Sequence, residues 1–150
     1  AREFSLLSRL QELELPAPRP VAYRIVRHGR FYQADLLTVR IDEARDLVAL
    51  LTQEAITEKI WHQIGATIRQ FHDKGIYHHD LNAHNILLDN EQQVWLIDFD
   101  RGEQRKVNCS WQESNMSRLL RSFRKEKKKQ PQFYWQEEDW QMLMSGYQGQ

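Results

Sequence analysis

The stretch IYHHDLNAHNILLD, residues 76–89, sets three histidines, two aspartates and two asparagines just ahead of an aliphatic run. A second acidic stretch, LIDFDRG, occupies residues 96–102. Between them, NILLD and VWLID are two short apolar runs joined by NEQQ. Each is too short for a stable helix and each ends in Asp, so the pair is expected to form a small β-hairpin. Asp80, Asn85 and Asp98 then stand in the pattern D-x4-N-x12-D, two of them at strand edges where side chains can converge. Asn and Asp bonding to nearby backbone would account for any one of these residues as turn chemistry. The combination asks for more.

Upstream, Ile60, Trp61, Ile64, Ile68 and Phe71 recur at helical spacing, and Gly75 occupies the place of a left-handed helix terminator. Near the start, Phe4, Leu6, Leu7, Leu10 and Leu13 mark another helix, which must stop before PAPRP. VAYRIV and FYQADLLTVRI are β-rich and flank the turn RHGR, predicting an antiparallel hairpin. DEARDLVALL reads as a short helix capped by Asp42, and the chain from Trp111 onward as mostly helical. The fold class is therefore α+β, with helices dominant in the second half.

Of the 150 residues, 41% are hydrophobic and 28% charged, which suits a folded domain rather than a disordered chain. Lys plus Arg equals Asp plus Glu, at 21 each, so overall charge gives no reason to expect nucleic acid as a partner. Cys109 is the single cysteine, which rules out an intrachain disulfide and favours a reducing compartment. No apolar run approaches the ~20 residues of a membrane-spanning helix, and no signal peptide is expected. The first residue is Ala and opens directly into a helical pattern, as in a fragment whose beginning is missing.

Two chemistries compete for the polar loop. In the first, His72, His79, Asp80 and Asp98 form a metal cage of the kind seen in HD-type phosphohydrolases, since imidazole and carboxylate suit divalent transition metals. Against it, Gly75 breaks the helix on which such a pair would sit. In the second, the loop transfers a phosphoryl group from ATP to a hydroxyl. That reaction needs one carboxylate to accept the hydroxyl proton and two oxygen-bearing side chains to hold Mg²⁺. HHDLNAHN at 78–85 fits the kinase loop H-R-D-x-x-x-x-N with His79 for Arg, and IDFD at 97–100 takes the place of D-F-G with Asp100 for Gly. On this reading Asp80 is the base and Asn85 and Asp98 hold metal, while His78 is an architectural hydrogen-bonding residue. Asn82 stands where protein kinases carry Lys, and no A-P-E signature follows Asp98. A sugar, lipid or other small-molecule acceptor is therefore expected.

YQADLLT, DLNAHNILL, LIDFDRG and LLRSFRKE together resemble the 3-deoxy-D-manno-octulosonic acid (Kdo) kinases, a lipopolysaccharide kinase group related to the inner-core heptose kinases. The resemblance runs from EFSLLSRL almost to SGYQ. It implies a protein-kinase-like fold, with residues 1–41 as the remnant of an N-lobe (a helix like αC and a hairpin leading to the hinge) and 42–150 as the C-lobe. It also implies a bacterial enzyme on the cytoplasmic side of the inner membrane, using ATP and Mg²⁺ to phosphorylate a Kdo hydroxyl on a lipid A precursor. Asp80 then matches the active-site aspartate, and Asn85 and Asp98 the metal positions. Glu3 matches the αC glutamate, and Thr38, Val39, Arg40 and Ile41 would face adenine. No G-x-G-x-x-G or V-A-I-K stretch is present, so the 150 residues alone are expected to have little activity. A choline- or aminoglycoside-type kinase and a non-catalytic kinase-like scaffold are the alternatives.

Two further features bear on the acceptor. Arg101 is placed to bind a carboxylate or phosphate, or else to pair with Asp100 or a nearby Glu. LLRSFRKEKKK at 119–129, followed by FYWQ at 133–136, suggests an anionic membrane surface, with aromatic residues at headgroup level. The competing expectation is a solvated helix face whose aromatic residues pack inward.

Overall fold

The computed structural model describes residues 2–150, with Ala34 described by its backbone; the first residue of the predicted 1–41 segment lies outside the described residues. Helix α1 (Arg2–Glu12) buries Leu6, Leu7 and Leu10 of the stripe read from the sequence, while Phe4 is half-buried and Leu13 lies in the turn just past the helix. The antiparallel hairpin β1 (Pro20–His28) and β2 (Phe31–Thr38) follows, turning at Gly29 in the left-handed region (φ 59°). Leu36 packs on the core, but Val21, Ile25, Phe31, Tyr32 and Leu37 are exposed.

Next come β3 (Arg45–Asp46) and the one-turn helix α2 (Leu47–Leu51). The expected cap at Asp42 is corrected here. Asp46 is the N-cap, its carboxylate accepting from the Ala49 N–H at 2.9 Å, because Arg45–Asp46 is drawn into a strand against Leu87 and Leu88. Residues 42 and 43 form the turn before it. The long helix α3 (Glu58–Asp73) is capped by Thr57 and ends at Lys74, with Gly75 beyond it at φ 74°. After β4 (Ile76–Tyr77) and a short 3₁₀ turn, β5 (Ile86–Leu88) and β6 (Val94–Leu96) form the predicted hairpin, giving a sheet of order β3-β5-β6. β7 (Glu103–Gln104) returns to pair with β4. Helices α4 (Cys109–Lys129) and α5 (Glu137–Gln148) complete an α+β architecture.

One hydrophobic core joins α1, α2, α3, the β3-β5-β6 sheet, α4 and α5. Phe123 of α4 lies at its centre, edge-on to Trp61 at 5.5 Å and stacked on Trp135 at 5.6 Å. Phe133 and Trp140 are buried too, so the aromatic residues of the FYWQ stretch pack inward apart from the exposed Tyr134. The expectation of Trp at a membrane headgroup level is thereby corrected for Trp135, while Tyr134 remains exposed. No helix among the described residues is long and apolar enough to cross a membrane.

α3 and α5 are joined by a buried polar knot. The His72 Nδ1 accepts from the Tyr147 hydroxyl at 2.7 Å, and Nε2 donates to the Asn115 Oδ1 at 3.2 Å. Burial pushes the His72 imidazole down to about 4, although the Asn115 bond works the other way. Its ordinary value in an unfolded chain is about 6.5, so between these two values the unfolded state binds the extra proton. The stability this histidine contributes is thus complete above about pH 6.5 and is lost as pH falls from there toward 4, by about 3 kcal/mol in all. Denaturation midpoints measured from pH 7 to pH 4 are expected to fall in wild type and to flatten over that window in His72→Gln. Parallel curves for the two proteins would remove the assignment.

Candidate active site

The loop after β4 is built on backbone bonds that a histidine initiates. His78 is buried; its Nε2–H donates to the Ile97 carbonyl at 2.8 Å and its Nδ1 accepts from the Asp80 N–H at 3.1 Å. These partners fix a neutral ring, and burial lowers its pKa in agreement, against the opposing bond to Ile97. The architectural role read for His78 is what the structure shows. Asn82 caps the 3₁₀ turn Ala83–Asn85 by accepting from the His84 N–H at 2.8 Å. Asn85 is buried, its Nδ2 donating to the Asp80 carbonyl at 2.9 Å and its own carbonyl accepting from the Ile97 N–H at 2.9 Å. Asp98 is therefore carried to the side of Asn85 by two strands of one sheet.

The acidic segment is pinned on both sides of its exposed residues. Phe99 is buried, 5.7 Å from the Phe71 ring and 4.9 Å from the His78 ring. Gly102 turns back onto the Phe99 carbonyl at 2.8 Å, and Glu103 and Gln104 pair with Tyr77 and Ile76. Asp98 and Arg101 sit in the left-handed region at φ 61° and 60°, an uncommon conformation for residues with a Cβ. The turn thus leaves Asp98, Asp100 and Arg101 exposed while Phe99 points into the core.

Two clefts meet at Asp98. A polar one of about 270 Å³ is lined by His79, Asp80, Asp98, Asp100, Arg101 and Arg118. The other, about 400 Å³, includes Glu3, Thr38, Val39, Arg40, Ile41 and Asp98, with Leu36, Leu87 and Ile97 adding apolar surface. Asp80, Asp98 and Arg101 are thus together in the first cleft, and Glu3 and residues 38–41 in the second, while Asn85 is buried against the Asp80 carbonyl. Burial raises the pKa of Glu3, with Asp100 and Asp98 adding to it. Arg101 makes no ion pair with Asp100 or with a glutamate among the described residues.

Arg118 was not anticipated. It projects from α4, and its Nη1 lies 3.6 Å from Asp80 Oδ1. Helical spacing marks Arg118 as a surface position, and nothing local links it to a loop 38 residues earlier. The metal cage of His72, His79, Asp80 and Asp98 is overturned. Both ring nitrogens of His72 are engaged inside the core, and no group of three or more His, Cys, Asp or Glu among the described residues could hold a metal ion.

Residues 1–147 match the lipopolysaccharide kinase (Kdo/WaaP) family. The 3-deoxy-D-manno-octulosonic acid kinase of Photobacterium profundum is 47% identical over 148 residues, covering 99% of this chain and 62% of that protein. The enzyme of the same name from Haemophilus influenzae is 46% identical over 150 residues, covering 97% of this chain and 61% of that protein. That of Vibrio parahaemolyticus is 45% identical over 143 residues, covering 95% and 59%. The chain thus spans about three-fifths of the length of these curated relatives. With its sequence matched almost from end to end, the chain belongs to the lipopolysaccharide kinase (Kdo/WaaP) family.

Proposed function

We propose that this chain carries the catalytic loop of an ATP-dependent kinase that phosphorylates a hydroxyl of 3-deoxy-D-manno-octulosonic acid on a lipid A precursor. The observation that carries the proposal is the junction of the two clefts at Asp98. One cleft has apolar surface and a chain segment, 38–41, able to offer backbone groups to adenine. The other has Asp80 exposed to an acceptor. A phosphate passing between two substrates must travel through such a junction, and kinase chemistry is mostly positioning and charge stabilisation.

In this reading Asp80 takes the proton of the acceptor hydroxyl as its oxygen bonds to the γ-phosphorus and the bond to the leaving diphosphate oxygen breaks. Asn85 and Asp98 would hold Mg²⁺. The fit is chemical: with Nδ2 committed to the Asp80 carbonyl, the Asn85 Oδ1 takes no hydrogen bond among the described residues, and Asp98 has no cationic partner among them. Hard oxygen donors of this kind suit Mg²⁺. When bound, the ion supplies positive charge against the phosphate oxygens.

The protein-kinase-like arrangement belongs to the same proposal. Residues 1–41 are read as part of an N-lobe and 42–150 as a C-lobe. The exposed apolar side chains of β1 and β2 support this, as they suit a sheet with further strands against it. The test is transfer of label from γ-labelled ATP, with Mg²⁺ and a Kdo-bearing lipid A precursor, by a chain of the relatives' full length. Label on the sugar is expected, with little or none from the 150-residue chain run beside it. Nucleotide binding without transfer to this acceptor would overturn the choice of substrate.

A cytoplasmic-side, peripheral association with the inner membrane follows from the lipid-linked acceptor. Its support is the α4 face carrying Arg121, Lys125, Lys128 and Lys129, all exposed. Lys127 and Arg124 are committed elsewhere, to the Phe133 carbonyl at 2.9 Å and to Glu137 at 2.8 Å. Changing Lys125, Lys128 and Lys129 to Gln is expected to weaken binding to anionic vesicles about a hundredfold, at about 1 kcal/mol for each lysine. Unchanged binding with the fold intact would remove this surface from the proposal.

A further inference from the structure

One stripe of α4 follows the catalytic loop residue by residue. Asn115 Nδ2 donates to the His78 carbonyl at 3.1 Å, Ser122 Oγ accepts from the Ala83 N–H at 3.0 Å, and Glu126 meets His84 Nε2 at 3.2 Å. These three are direct hydrogen bonds that hold the loop in place. Arg118 lies on the same stripe and behaves differently. Its Nη1 stops 3.6 Å from a single oxygen of Asp80, beyond hydrogen-bond distance, and its side chain is 49% exposed.

A guanidinium whose task was to fix Asp80 would approach it as a fork, with two parallel N–H bonds. This one leaves its donors without a hydrogen-bond partner among the described residues and lines the polar cleft with Arg101. Arg101 is likewise without a protein acceptor there. Asp80, Asp98 and Asp100 share this cleft, yet neither guanidinium is hydrogen-bonded to any of them among the described residues, so both remain open to an anionic group of a substrate, and the nearness of Arg118 to Asp80 fixes where that group sits. An acceptor hydroxyl must come within hydrogen-bond reach of Asp80 to lose its proton. A group bridging Arg118 and Arg101 therefore lies within about one sugar ring of the reacting oxygen.

We propose that Arg118 and Arg101 form an acid-recognition subsite, binding a carboxylate on the same sugar ring as the hydroxyl that Asp80 activates. Arg118 is the specificity-determining residue of the pair, and it exchanges a loose ion pair with Asp80 for a close one with substrate. This inference rests on the kinase reading above and deepens it by assigning the side chains that recognise the acceptor's carboxylate.

The test compares the Kdo-bearing acceptor with its carboxyl methyl ester, using the full-length protein. Wild type is expected to lose about 10- to 100-fold in kcat/KM on the ester, the range of a hydrogen bond to a charged group. Arg118→Gln is expected to show the same loss on the acid acceptor, carried in KM, with little further loss on the ester. Arg118→Lys recovers part of it, and Arg101→Gln repeats the pattern independently. Equal losses on both acceptors, or a loss carried by kcat alone, would overturn the subsite and make Arg118 a positioner of Asp80. No transfer to either acceptor by wild type, with ATP bound, would overturn the kinase reading and this inference with it.

Discussion

Asp80→Asn, in a chain of the relatives' full length, is expected to keep nucleotide binding and to slow phosphate transfer by about 10²- to 10⁴-fold, the range for loss of a general base. The substitution is clean because nothing structural depends on the carboxylate. Asp80 is held by its backbone: its N–H donates to His78 Nδ1, and its carbonyl accepts from Asn82 and Asn85. Its side chain is exposed and touches only the loosely placed Arg118 among the described residues. Asn has the same shape and makes the same backbone bonds, so the thermal midpoint should hardly move. Single-turnover transfer with saturating ATP reads the chemical step directly. A change smaller than threefold would remove Asp80 as the base.

Gly65→Ala and Gly146→Ala are expected to be the most damaging small substitutions in the fold. By helix propensity alone, each should stabilise by about 1 kcal/mol. The packing reverses that sign. A Cβ at Gly65 would overlap the Leu143 carbonyl oxygen and stand 2.7 Å from the Tyr147 nitrogen. One at Gly146 would overlap the His62 carbonyl oxygen and stand 2.9 Å from the His62 Cα. These neighbours are backbone atoms of the facing helix, which cannot rotate away as a side chain can. Overpacking of this kind costs about 1–3 kcal/mol, and here the upper end is expected. Denaturant midpoints should drop accordingly, with the melting temperature falling by about 6–12 °C. A midpoint equal to or above wild type would show that α3 and α5 pack less closely than the structure has them.

Elements whose signals are local were legible in the sequence. The α3 stripe with Thr57 before it and Gly75 after it, the β1-β2 hairpin turning at Gly29, and the β5-β6 hairpin all appear where periodicity and turn residues put them. Asp42 and Asp46 offer the same capping signal, and only the pairing of Arg45–Asp46 with β5 decides between them. The two-residue strands β4 and β7 are too short to carry any period. At the candidate site, spacing together with the match to the kinase-loop pattern brought out Asp80, Asn85 and Asp98, because loop and strand geometry link them. His72 looked as good a metal ligand as His79 until its partner, Tyr147, 75 residues away, was seen to occupy its ring. Arg118 stayed hidden for the same reason: its place beside Asp80 is set by how α4 crosses the loop.

The burial of Phe99 has a consequence for how an enzyme of this kind would be controlled. In phosphotransferases governed by a switch, the metal-binding aspartate is withdrawn when the neighbouring aromatic residue leaves its seat. Here that aromatic residue is wedged between Phe71 and His78, and the chain beyond it is tied down by the β4-β7 pairing and by the Arg105 guanidinium 3.6 Å over the Tyr77 ring. Exposing a Phe side chain costs about 1.5–3 kcal/mol before the vacated space is counted. At any instant, then, only a small minority of molecules would have the segment displaced. On the proposed kinase reading, the loop would stand assembled in most molecules, and the output of the full-length enzyme would follow the supply of its acceptor rather than a signal received by the loop.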